Sequence, residues 1–406
     1  MPMEELASLA TQRQTDLFEG DLKRNAPEIR ERFEGARVLV LGGAGSIGSS
    51  TVELLSRLGV KCLHVVDQNE NALAELVRCL RSRAGGLGVK DFRTLPLDLG
   101  SPIMRRFLDS EAPYDWVLNF AAIKHVRSEK DIPCLLQMFD TNLLKPLHCW
   151  QWILDRGTPP SYFSVSTDKA AEPVNLMGAS KRIMEHLMFC PGGPMSAAKR
   201  STTARFANVA FSNGSLLESF VRRFEKNQPL ACPRDTRRFF ISLREAGQIC
   251  LLAAACGPDR HIVIPRLDAE TDTRKLEDIA VAFLRQKGVE PRIYHDEEAA
   301  RNNVTGDLSL GRYPLLLTDL DTQGEKECET FAAPEEEVSE FGMSGALAVR
   351  YLPIPLGTLN DFMRDVTSFV SDTNRAIDKR RLVETVAIVL PEFRHMDSPE
   401  TLDKRM

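Results

Sequence analysis

The chain has 406 residues, of which 43% are hydrophobic and 27% are charged, and its formal net charge is -5. This composition is typical of a globular protein, and the length suits one large α/β domain with smaller additions. The negative charge argues against nucleic acid or an anionic membrane surface as the main partner. The nine cysteines include no C-x-x-C pair, so we expect reduced thiols, a cytoplasmic protein and no metal site. The apolar runs are too short to span a bilayer.

The first 35 residues are predicted to form a helical arm, because apolar residues recur at helical spacing between many charges. We expect this arm to pack on its own domain or on a partner subunit.

A strand, a glycine turn and a helix follow one another directly after the arm. The β-rich run 37–41 leads into Gly-Gly-Ala-Gly-Ser-Ile-Gly, and helical residues begin at about 51. Glycines in such a turn allow a tight bend and close approach of a pyrophosphate, and the helix N-terminus attracts its charge. The sequence therefore predicts a dinucleotide site, with cofactor contacts from Gly42, Gly45, Ser46, Ile47 and Gly48.

Acidic residues follow the next two predicted strands. Asp67 ends the strand 62–66, where a carboxylate accepts hydrogen bonds from ribose hydroxyls and repels a 2′-phosphate, which favours NAD over NADP. Asp98 follows the strand predicted at 93–97. Two interpretations of Asp98 remain open: contact with the adenine, or a simple turn at the end of a strand.

A fourth strand is predicted at 116–122 and ends in the small residues Ala121 and Ala122, which let the cofactor backbone pass closely. Lys124 and His125 come next, at the end of the strand where open α/β sheets bind ligands. A helix predicted at 132–155 carries Asn142 near its middle.

The fifth strand, 162–165, leads into the most distinctive stretch of the chain. Thr167, Asp168 and Lys169 place a hydroxyl, a carboxylate and an amine in consecutive positions, and such groups can move protons on a polar substrate. A second lysine, Lys181, lies on the following helix. Met177 stands four residues before it.

The remaining sequence is predicted to contribute mainly to substrate binding. We expect a strand at 203–211, a turn at 212–215 opening a helix, and a basic segment containing Arg238 that contacts phosphate or sugar. The segment 319–341 holds nine acidic residues and one lysine, so we expect a solvent-exposed loop or insertion. The predicted units are a helical arm at 1–35, an NAD-binding domain at 36–205, a mainly substrate-binding region at 206–350 and a C-terminal extension at 351–406.

These motifs together resemble the extended short-chain dehydrogenase/reductase superfamily. Within it the chain is most similar to nucleotide-sugar 4,6-dehydratases of polysaccharide biosynthesis that act on UDP-N-acetylglucosamine. The similarity is good from about 35 to 250, and it is poor beyond about 330. It lies in the segments 42–48, 121–126, 166–170, 175–182, 205–209, 238–239 and, more weakly, 324–326. The family's Arg-Pro before the last of these is replaced by Thr322-Gln323.

The resemblance implies an α/β fold, a Rossmann-type doubly wound parallel sheet with a smaller C-terminal substrate-binding region. It implies oxidation of the sugar C4 hydroxyl by bound NAD(P)+, loss of water across C5 and C6, and return of the hydride to C6. Lys169 would be the base at C5, Asp168 the acid at O6, and Thr167 the hydrogen-bond partner of O4. Lys181 would orient the nicotinamide ribose. The implied substrate contacts are Lys124, His125, Asn175, Asn208 and Arg238.

Met177 departs from the usual Tyr-x-x-x-Lys of the superfamily, where the phenol accepts the C4 hydroxyl proton. A thioether cannot accept that proton usefully, although some dehydratases of this family also have methionine there. Our hypothesis is that the proton leaves through Lys169, Asp168 or a water held by Thr167. The alternatives are a C5 epimerase or ketoreductase on the same scaffold and a non-catalytic NAD-binding protein. A homo-oligomer is expected.

Overall fold

The computed structural model describes residues 3–124, 129–319, 329–374 and 377–396, with side chains from residue 5 onward. His125, the motif at 324–326 and the polar end at 397–406 therefore lie outside the described residues.

Sixteen α-helices occur in the described residues. They are α1 (Met3–Thr11), α2 (Glu19–Arg24), α3 (Ala26–Phe33), α4 (Ser46–Leu55), α5 (Glu70–Arg81), α6 (Pro102–Ser110), α7 (Ile132–Phe139), α8 (Lys145–Leu154), α9 (Leu176–Phe189), α10 (Leu216–Glu225), α11 (Leu243–Ala255), α12 (Leu276–Gln286), α13 (Glu297–Asn302), α14 (Val304–Ser309), α15 (Leu356–Ser371) and α16 (Lys379–Val389). A π-helical turn, Asp140–Leu144, joins α7 to α8, and a 3₁₀ turn, Asp168–Ala170, precedes α9. None of the helices in the described ranges is long and apolar enough to cross a membrane.

Fifteen strands complete the described structure. They are β1 (Arg37–Leu41), β2 (Cys62–Val66), β3 (Asp91–Leu95), β4 (Trp116–Asn119), β5 (Ser161–Val165), β6 (Ser201–Ala204), β7 (Asn208–Val209), β8 (Leu230–Pro233), β9 (Arg237–Ile241), β10 (His261–Pro265), β11 (Thr273–Lys275), β12 (Glu290–Tyr294), β13 (Arg312–Thr318), β14 (Val338–Ser339) and β15 (Ala346–Arg350).

Nine strands form one large sheet in the order β14-β15-β10-β6-β5-β4-β1-β2-β3. The seven neighbouring strands β3, β2, β1, β4, β5, β6 and β10 are parallel. At the β10 edge, β15 and then β14 are added in antiparallel orientation. The strand order reverses between β1 and β4, and ligands bind in the crevice at such a switch point. The α/β fold with a mostly parallel, Rossmann-type sheet is therefore confirmed.

Alternation along β1 shows how helices cover both faces of this sheet. Val38 and Val40 belong to the apolar cluster that includes α4, α5 and α11, whereas Leu39 and Leu41 belong to the cluster that includes α8, α9 and α15. Successive side chains of a strand point to opposite faces, so a strand buried on both sides is apolar throughout. This explains the continuous apolar run.

A smaller part of the molecule contains two three-stranded sheets, β11-β9-β7 and β12-β13-β8. The strand predicted at 203–211 is wrong in one respect: it is two strands. β6 ends at Ala204 within the large sheet, and β7 pairs with β9 in a small one. Phe211, just after β7, has a φ of 55°, and the chain there leaves the extended conformation. The boundaries between the four predicted units remain predictions, and the large sheet takes strands from both sides of residue 205.

Two predicted strands differ from the observed ones at their ends. β3 runs from Asp91 to Leu95, two residues earlier than predicted. β4 ends at Asn119, whose side-chain oxygen accepts a hydrogen bond from the backbone N–H of Ala121 and turns the chain out of the sheet. A short polar side chain that binds nearby backbone ends a strand in this way.

The N-terminal arm packs on its own chain. Leu6 and Ala10 of α1 are buried in the apolar cluster around α12. The Arg13 guanidinium contacts the Glu245 carboxylate at 2.8 Å, and the Asp21 carboxylate accepts hydrogen bonds from the backbone of residues 344 and 345. The arm therefore bridges the small sheets and the large one.

Candidate active site

The site lies at the carboxyl ends of β4 and β5, and capped helices position it. Asn175 caps α9, with its Oδ1 accepting from the Gly178 N–H at 2.7 Å, and Ser215 caps α10. Each such cap typically stabilises its helix by about 1 kcal/mol. A side chain on Gly178 would come within 2.4 Å of the Lys169 carbonyl oxygen, so glycine allows α9 to approach the 3₁₀ turn.

Thr167, Asp168 and Lys169 form a contiguous polar group beyond β5. The Thr167 hydroxyl donates to Asp168 Oδ1 at 2.6 Å, and Lys169 Nζ lies 3.3 Å from Asp168 Oδ2. The Asp168 side chain is only 3% exposed, whereas that of Lys169 is 25% exposed. A hydroxyl, an acid and an amine in contact can exchange protons with a substrate placed over them.

Lys181 of α9 lines the same cavity as this polar group. Its Nζ donates to the Met184 sulfur at 3.2 Å, and the residue is 5% exposed. Burial lowers the pKa of Lys181 to about 8, against the opposing charge of Glu185. A cation held in a poorly solvated place interacts strongly with a bound polar ligand.

Met177 occupies the position where the superfamily has tyrosine, and its surroundings are apolar. Its side chain is 3% exposed and belongs to the cluster that also contains Leu176 and Ile183, although it borders the pocket. Its backbone N–H donates to the Glu129 carboxylate at 2.9 Å. The residue therefore contributes shape to the site and no acid–base group.

The acidic segment after residue 319 brings an unexpected carboxylate into the site. Glu329 Oε1 lies 2.8 Å from the Asn208 amide nitrogen, 3.6 Å from Lys169 Nζ and 3.6 Å from Arg238 Nε. The Glu329 side chain is 7% exposed. Burial and the charge of Asp168 raise the pKa of Glu329 to about 7, against the opposing charges of Lys169 and Arg238.

The prediction of a solvent-exposed acidic loop is therefore wrong for part of this segment. Phe331, Ala333 and Glu336 are buried, and the Glu329 side chain is almost fully covered. The two carboxylates have arginine or lysine partners, and Phe331 packs into apolar surroundings. Charge count alone favours exposure, since unpaired carboxylates avoid the interior. The short apolar run 331–333 was the signal in the sequence that could have suggested burial.

The polar residues surround a cavity of about 390 Å³. Phe120, Val165, Phe206 and Val209 give it apolar walls. The predicted site residues that line it are Ile47, Ala122, Lys124, Thr167, Asp168, Lys169, Met177, Lys181, Asn208 and Arg238. The unpredicted polar residues in the wall are Ser166, Glu172, Ser212, Ser215, Glu329 and Thr330.

Ile47 is the residue of the glycine turn that lines this cavity, whereas Gly42, Gly45, Ser46 and Gly48 are not in its lining, and their contacts with a cofactor remain predictions. Gly42 has a φ of 70°, and a side chain there would lie 2.4 Å from the backbone nitrogen of Ala121. A side chain on Gly48 would lie 2.5 Å from the Gly42 carbonyl oxygen. Both positions therefore require glycine, which brings the backbones of β1, α4 and the β4 loop together. Ile47 lines the cavity, and Ser46 Oγ accepts from the Asn213 N–H at 3.0 Å.

The two acidic residues at the other strand ends have different surroundings. Asp67 accepts hydrogen bonds from the backbone N–H groups of Ala44 and Asn69, at 3.0 and 2.9 Å, which fixes its carboxylate beside the glycine turn. Asp98 contacts Lys145 Nζ at 2.5 Å and accepts from the Gly100 N–H. These contacts agree with the interpretation of Asp98 as a residue of a strand-end turn. A contact between Asp98 and the adenine remains a prediction.

The predicted substrate contacts fall in three places. Lys124, Asn208 and Arg238 line the cavity, and Lys124 is exposed at its edge. Asn175 is buried and serves as the cap of α9. His125 lies outside the described residues.

Asn142 lies in the π-helical turn and ties two parts of the site together. Its side chain pairs with both backbone groups of Ile123, at 2.8 and 3.0 Å, and donates to the Ser180 hydroxyl at 2.9 Å. The loop after β4 and helix α9 are therefore held in a fixed relation.

The fold and the site define a Rossmann-type α/β protein with a polar cavity at the carboxyl ends of its parallel strands. A family model described as "Polysaccharide biosynthesis protein" matches residues 38–311, more than half of the chain. The chain belongs to this polysaccharide biosynthesis protein family.

Several curated proteins are similar to this chain. The uncharacterized membrane protein MJ1061 of Methanocaldococcus jannaschii is 30% identical, over 59% of this chain and 69% of its own length. The probable polysaccharide biosynthesis protein EpsC of Bacillus subtilis is 28% identical, and the chain spans only 39% of its length. A UDP-N-acetylglucosamine 4,6-dehydratase (inverting) of Campylobacter jejuni is 27% identical, over 58% of this chain and 68% of its own length. A UDP-glucose 4-epimerase of Rickettsia bellii is 25% identical, over 59% of this chain and 68% of its own length.

A solved structure has the same fold. Pen from Bacillus thuringiensis superposes with a TM-score of 0.62, covering 82% of this chain and 98% of its own, at 19% sequence identity. Because the sequence identity is only 19%, this similarity shows a shared fold and carries no conclusion about activity.

Proposed function

We propose that the protein is a nucleotide-sugar 4,6-dehydratase that acts on UDP-N-acetylglucosamine with an internally recycled NAD. The observation that carries this proposal is the contact of Thr167, Asp168 and Lys169 at the wall of one cavity, which Ile47 of the glycine turn also lines. Elimination of water from a sugar needs a base at one carbon and an acid at the next, and adjacent residues can serve neighbouring carbons.

The residues around the glycine turn fit a dinucleotide. Neighbouring backbone leaves no room for side chains on Gly42 and Gly48, so the turn that leads into the N-terminus of α4 is tight. The free N–H groups and the dipole of a helix N-terminus suit a pyrophosphate. The fixed carboxylate of Asp67 suits ribose hydroxyls and disfavours a 2′-phosphate, which supports NAD over NADP. When bound, NAD would supply the hydride acceptor for C4 and the hydride donor for C6.

The chain's own residues would then have distinct tasks at the sugar. Thr167 holds O4 through its hydroxyl, Lys169 takes the C5 proton as base, and Asp168 gives a proton to O6 so that water leaves. Lys181 orients the nicotinamide ribose and adds positive charge. Arg238 and Lys124 are the cations of the cavity wall that suit a diphosphate.

Met177 argues against two of the alternatives, direct epimerisation at C4 and ketoreduction, but not against epimerisation at C5. Direct epimerisation at C4 and simple ketoreduction both lean on a phenol at this position, and a buried thioether cannot replace it. The chain is also similar to a UDP-glucose 4-epimerase, but that reaction takes place at C4, so the second candidate is an epimerase acting at C5. Epimerisation at C5 also begins by removing the C5 proton, so Lys169 serves that reaction equally well.

Mass spectrometry of the purified protein with UDP-N-acetylglucosamine and NAD+ tests the proposal. A dehydratase gives a product lighter by about 18 mass units, one water. Unchanged mass with a new stereoisomer would identify an epimerase, and unchanged substrate would exclude both. The same reaction with heat-inactivated protein provides the blank. Size-exclusion chromatography with light scattering would test the expected homo-oligomer.

A further inference from the structure

A count of protons in the proposed reaction shows that the C4 hydroxyl proton needs an acceptor other than Asp168 and Lys169. Oxidation at C4 releases the hydroxyl proton before the elimination begins. Asp168 must already be protonated to act as the acid at O6, and Lys169 must be unprotonated to act as the base at C5. Neither can keep the C4 proton and still perform its own step. In most of the superfamily a tyrosine accepts this proton, and here Met177 stands in that place.

Glu329 is the carboxylate placed to take this role. It lines the cavity, its side chain is 7% exposed, and its Oε1 lies 3.6 Å from Lys169 Nζ. The other end of the polar group is the Thr167 hydroxyl, 2.6 Å from Asp168, and Asp168 in turn lies 3.3 Å from Lys169 Nζ. An unbroken series of contacts therefore joins the expected position of O4 to Glu329.

We propose that Glu329 holds the proton released from the C4 hydroxyl while Asp168 and Lys169 carry out the elimination. This role rests on the proposed dehydratase function. The O4–H bond breaks and an O–H bond forms on the Glu329 carboxylate, while Thr167, Asp168 and Lys169 each gain one proton and lose one. After water has left, Lys169 returns its proton to C5, and Glu329 restores the proton of Asp168 through Lys169.

The protein holds Glu329 in place from both sides. Its two carboxylate oxygens accept from the Asn208 amide at 2.8 and 3.0 Å, and the Arg238 guanidinium approaches it at 3.6 Å. The next residue, Thr330, donates to the Glu172 carboxylate at 3.1 Å, and Phe331 packs on Phe239 with ring centroids 5.2 Å apart. A glutamate that must take and release a proton needs such a fixed position.

The electrostatics of the site agree with reversible protonation. Burial and the neighbouring Asp168 bring the pKa of Glu329 to about 7, so the ionised and protonated forms are both accessible at neutral pH. A proton-holding group works best when its pKa lies near the operating pH.

The Glu329→Gln variant tests this role, because glutamine keeps the size of the side chain and an oxygen for the Asn208 amide. Glu335→Gln is the matched control, since Glu335 is an exposed glutamate of the same segment. We expect the kcat of Glu329→Gln to fall ~100-fold or more with KM changed less than ~3-fold. In the wild type kcat should rise as the pH increases through about 7, because only the ionised Glu329 can accept the proton. The kcat of Glu329→Gln should not show this rise. Glu329→Asp, which retains a carboxyl group, should recover part of the activity.

Infrared spectroscopy gives a readout that needs no turnover. The substrate-free wild type and Glu335→Gln should show a protonated carboxyl band that disappears as the pH rises through about 7, and Glu329→Gln should lack it. If the wild type dehydrates the sugar while Glu329→Gln retains turnover within ~3-fold, the role of Glu329 is wrong and the dehydratase function stands. If the wild type removes no water, the dehydratase function itself has failed and this role fails with it.

Discussion

Arg205 and Glu336 form a fully buried ion pair, with Nη1 of the arginine 2.6 Å from Oε2 of the glutamate. Arg205 also contacts Glu185 of α9 at 2.6 Å, and Arg182 of the same helix contacts Glu336 as well. The Arg205 guanidinium donates in addition to the Phe331 carbonyl oxygen at 3.1 Å. This cluster anchors the segment 329–336 on α9 and on the residue that follows β6, and it thereby fixes the position of Glu329 in the site.

Replacing Glu336 by alanine should strongly destabilise the protein. Arg205 would keep its full burial but lose one of two carboxylate partners, and breaking a buried pair in this way typically costs 3–5 kcal/mol, so about 3 kcal/mol is expected. Urea denaturation followed by circular dichroism measures the change. Glu337→Ala is the control, because Glu337 is exposed and its single ion pair with Arg350 contributes less than about 1 kcal/mol. Equal stability of the two variants would contradict the anchoring role.

Acid should weaken the same anchor. Burial alone would raise the pKa of Glu336, but hydrogen bonds and charge from Arg205 and Arg182 outweigh it and lower the pKa to about 2. The stabilisation is therefore present above the ordinary pKa of 4.5 and is lost as the pH falls towards 2. The shift corresponds to roughly 3 kcal/mol. Urea denaturation between pH 5 and pH 3 should show this fall in the wild type. A Glu336→Gln variant should show a shallower fall over the same range.

The large sheet could be predicted from the sequence because its signals are local. The apolar runs that form β1 and β2 have the observed ends, and the glycine turn lies where the motif places it. The prediction is shifted by two residues at β3 and ends three residues too late at β4, because pairing with neighbours and side-chain contacts such as that of Asn119 set the ends of strands. These contacts are not visible in a single segment.

The site could be predicted in part for the same reason. Thr167, Asp168 and Lys169 are consecutive, and Lys181 follows on the next helix, so one stretch of chain contains most of the polar group. Glu329 comes from a segment more than 150 residues further along. Its burial depends on partners that only the tertiary structure supplies, and local charge density indicated the opposite. Long-range ion pairs of this kind are the part of the site that sequence reasoning missed.

The buried charge of Lys181 should lower the free energy of unfolding, although the residue is expected to help bind the cofactor. Its pKa of about 8 lies below the ordinary value of 10.5 because burial disfavours the charged form, so keeping the proton at pH 7 costs the folded state free energy. Lys181→Met should therefore raise the unfolding free energy at pH 7 by ~1–3 kcal/mol, and the gain should shrink as the pH rises from 8 to 10.5. Denaturation at pH 7 and pH 10 measures this.

The same Lys181→Met variant should bind NAD more weakly, by ~10-fold or more, since it removes the cation expected at the nicotinamide ribose. Isothermal titration with NAD+ measures the affinity. A variant that is less stable than the wild type at pH 7, with unchanged NAD affinity, would contradict both expectations.

Asp67 should decide between the two nicotinamide cofactors. Its carboxylate is fixed by the Ala44 and Asn69 N–H groups at the end of β2. Asp67→Asn keeps an acceptor but removes the charge, so NAD should bind ~10-fold more weakly while the preference over NADP falls. Fluorescence titration with each cofactor gives both constants. Glu70→Gln, a neighbouring exposed glutamate, should leave both unchanged, and an unaltered NAD to NADP ratio in Asp67→Asn would exclude the assigned role.

Met177 and Lys169 should respond to substitution in opposite ways. The Met177 side chain is 3% exposed among apolar neighbours and offers no group that takes a proton, so Met177→Leu should keep turnover within ~3-fold. Lys169→Ala removes the base at C5, and kcat should fall ~1000-fold or more with little change in KM. Steady-state dehydration of UDP-N-acetylglucosamine followed by mass spectrometry compares the two. Near-normal turnover of Lys169→Ala would refute its role as the base. A severe loss in Met177→Leu with intact folding would mean that the thioether does more than fill space.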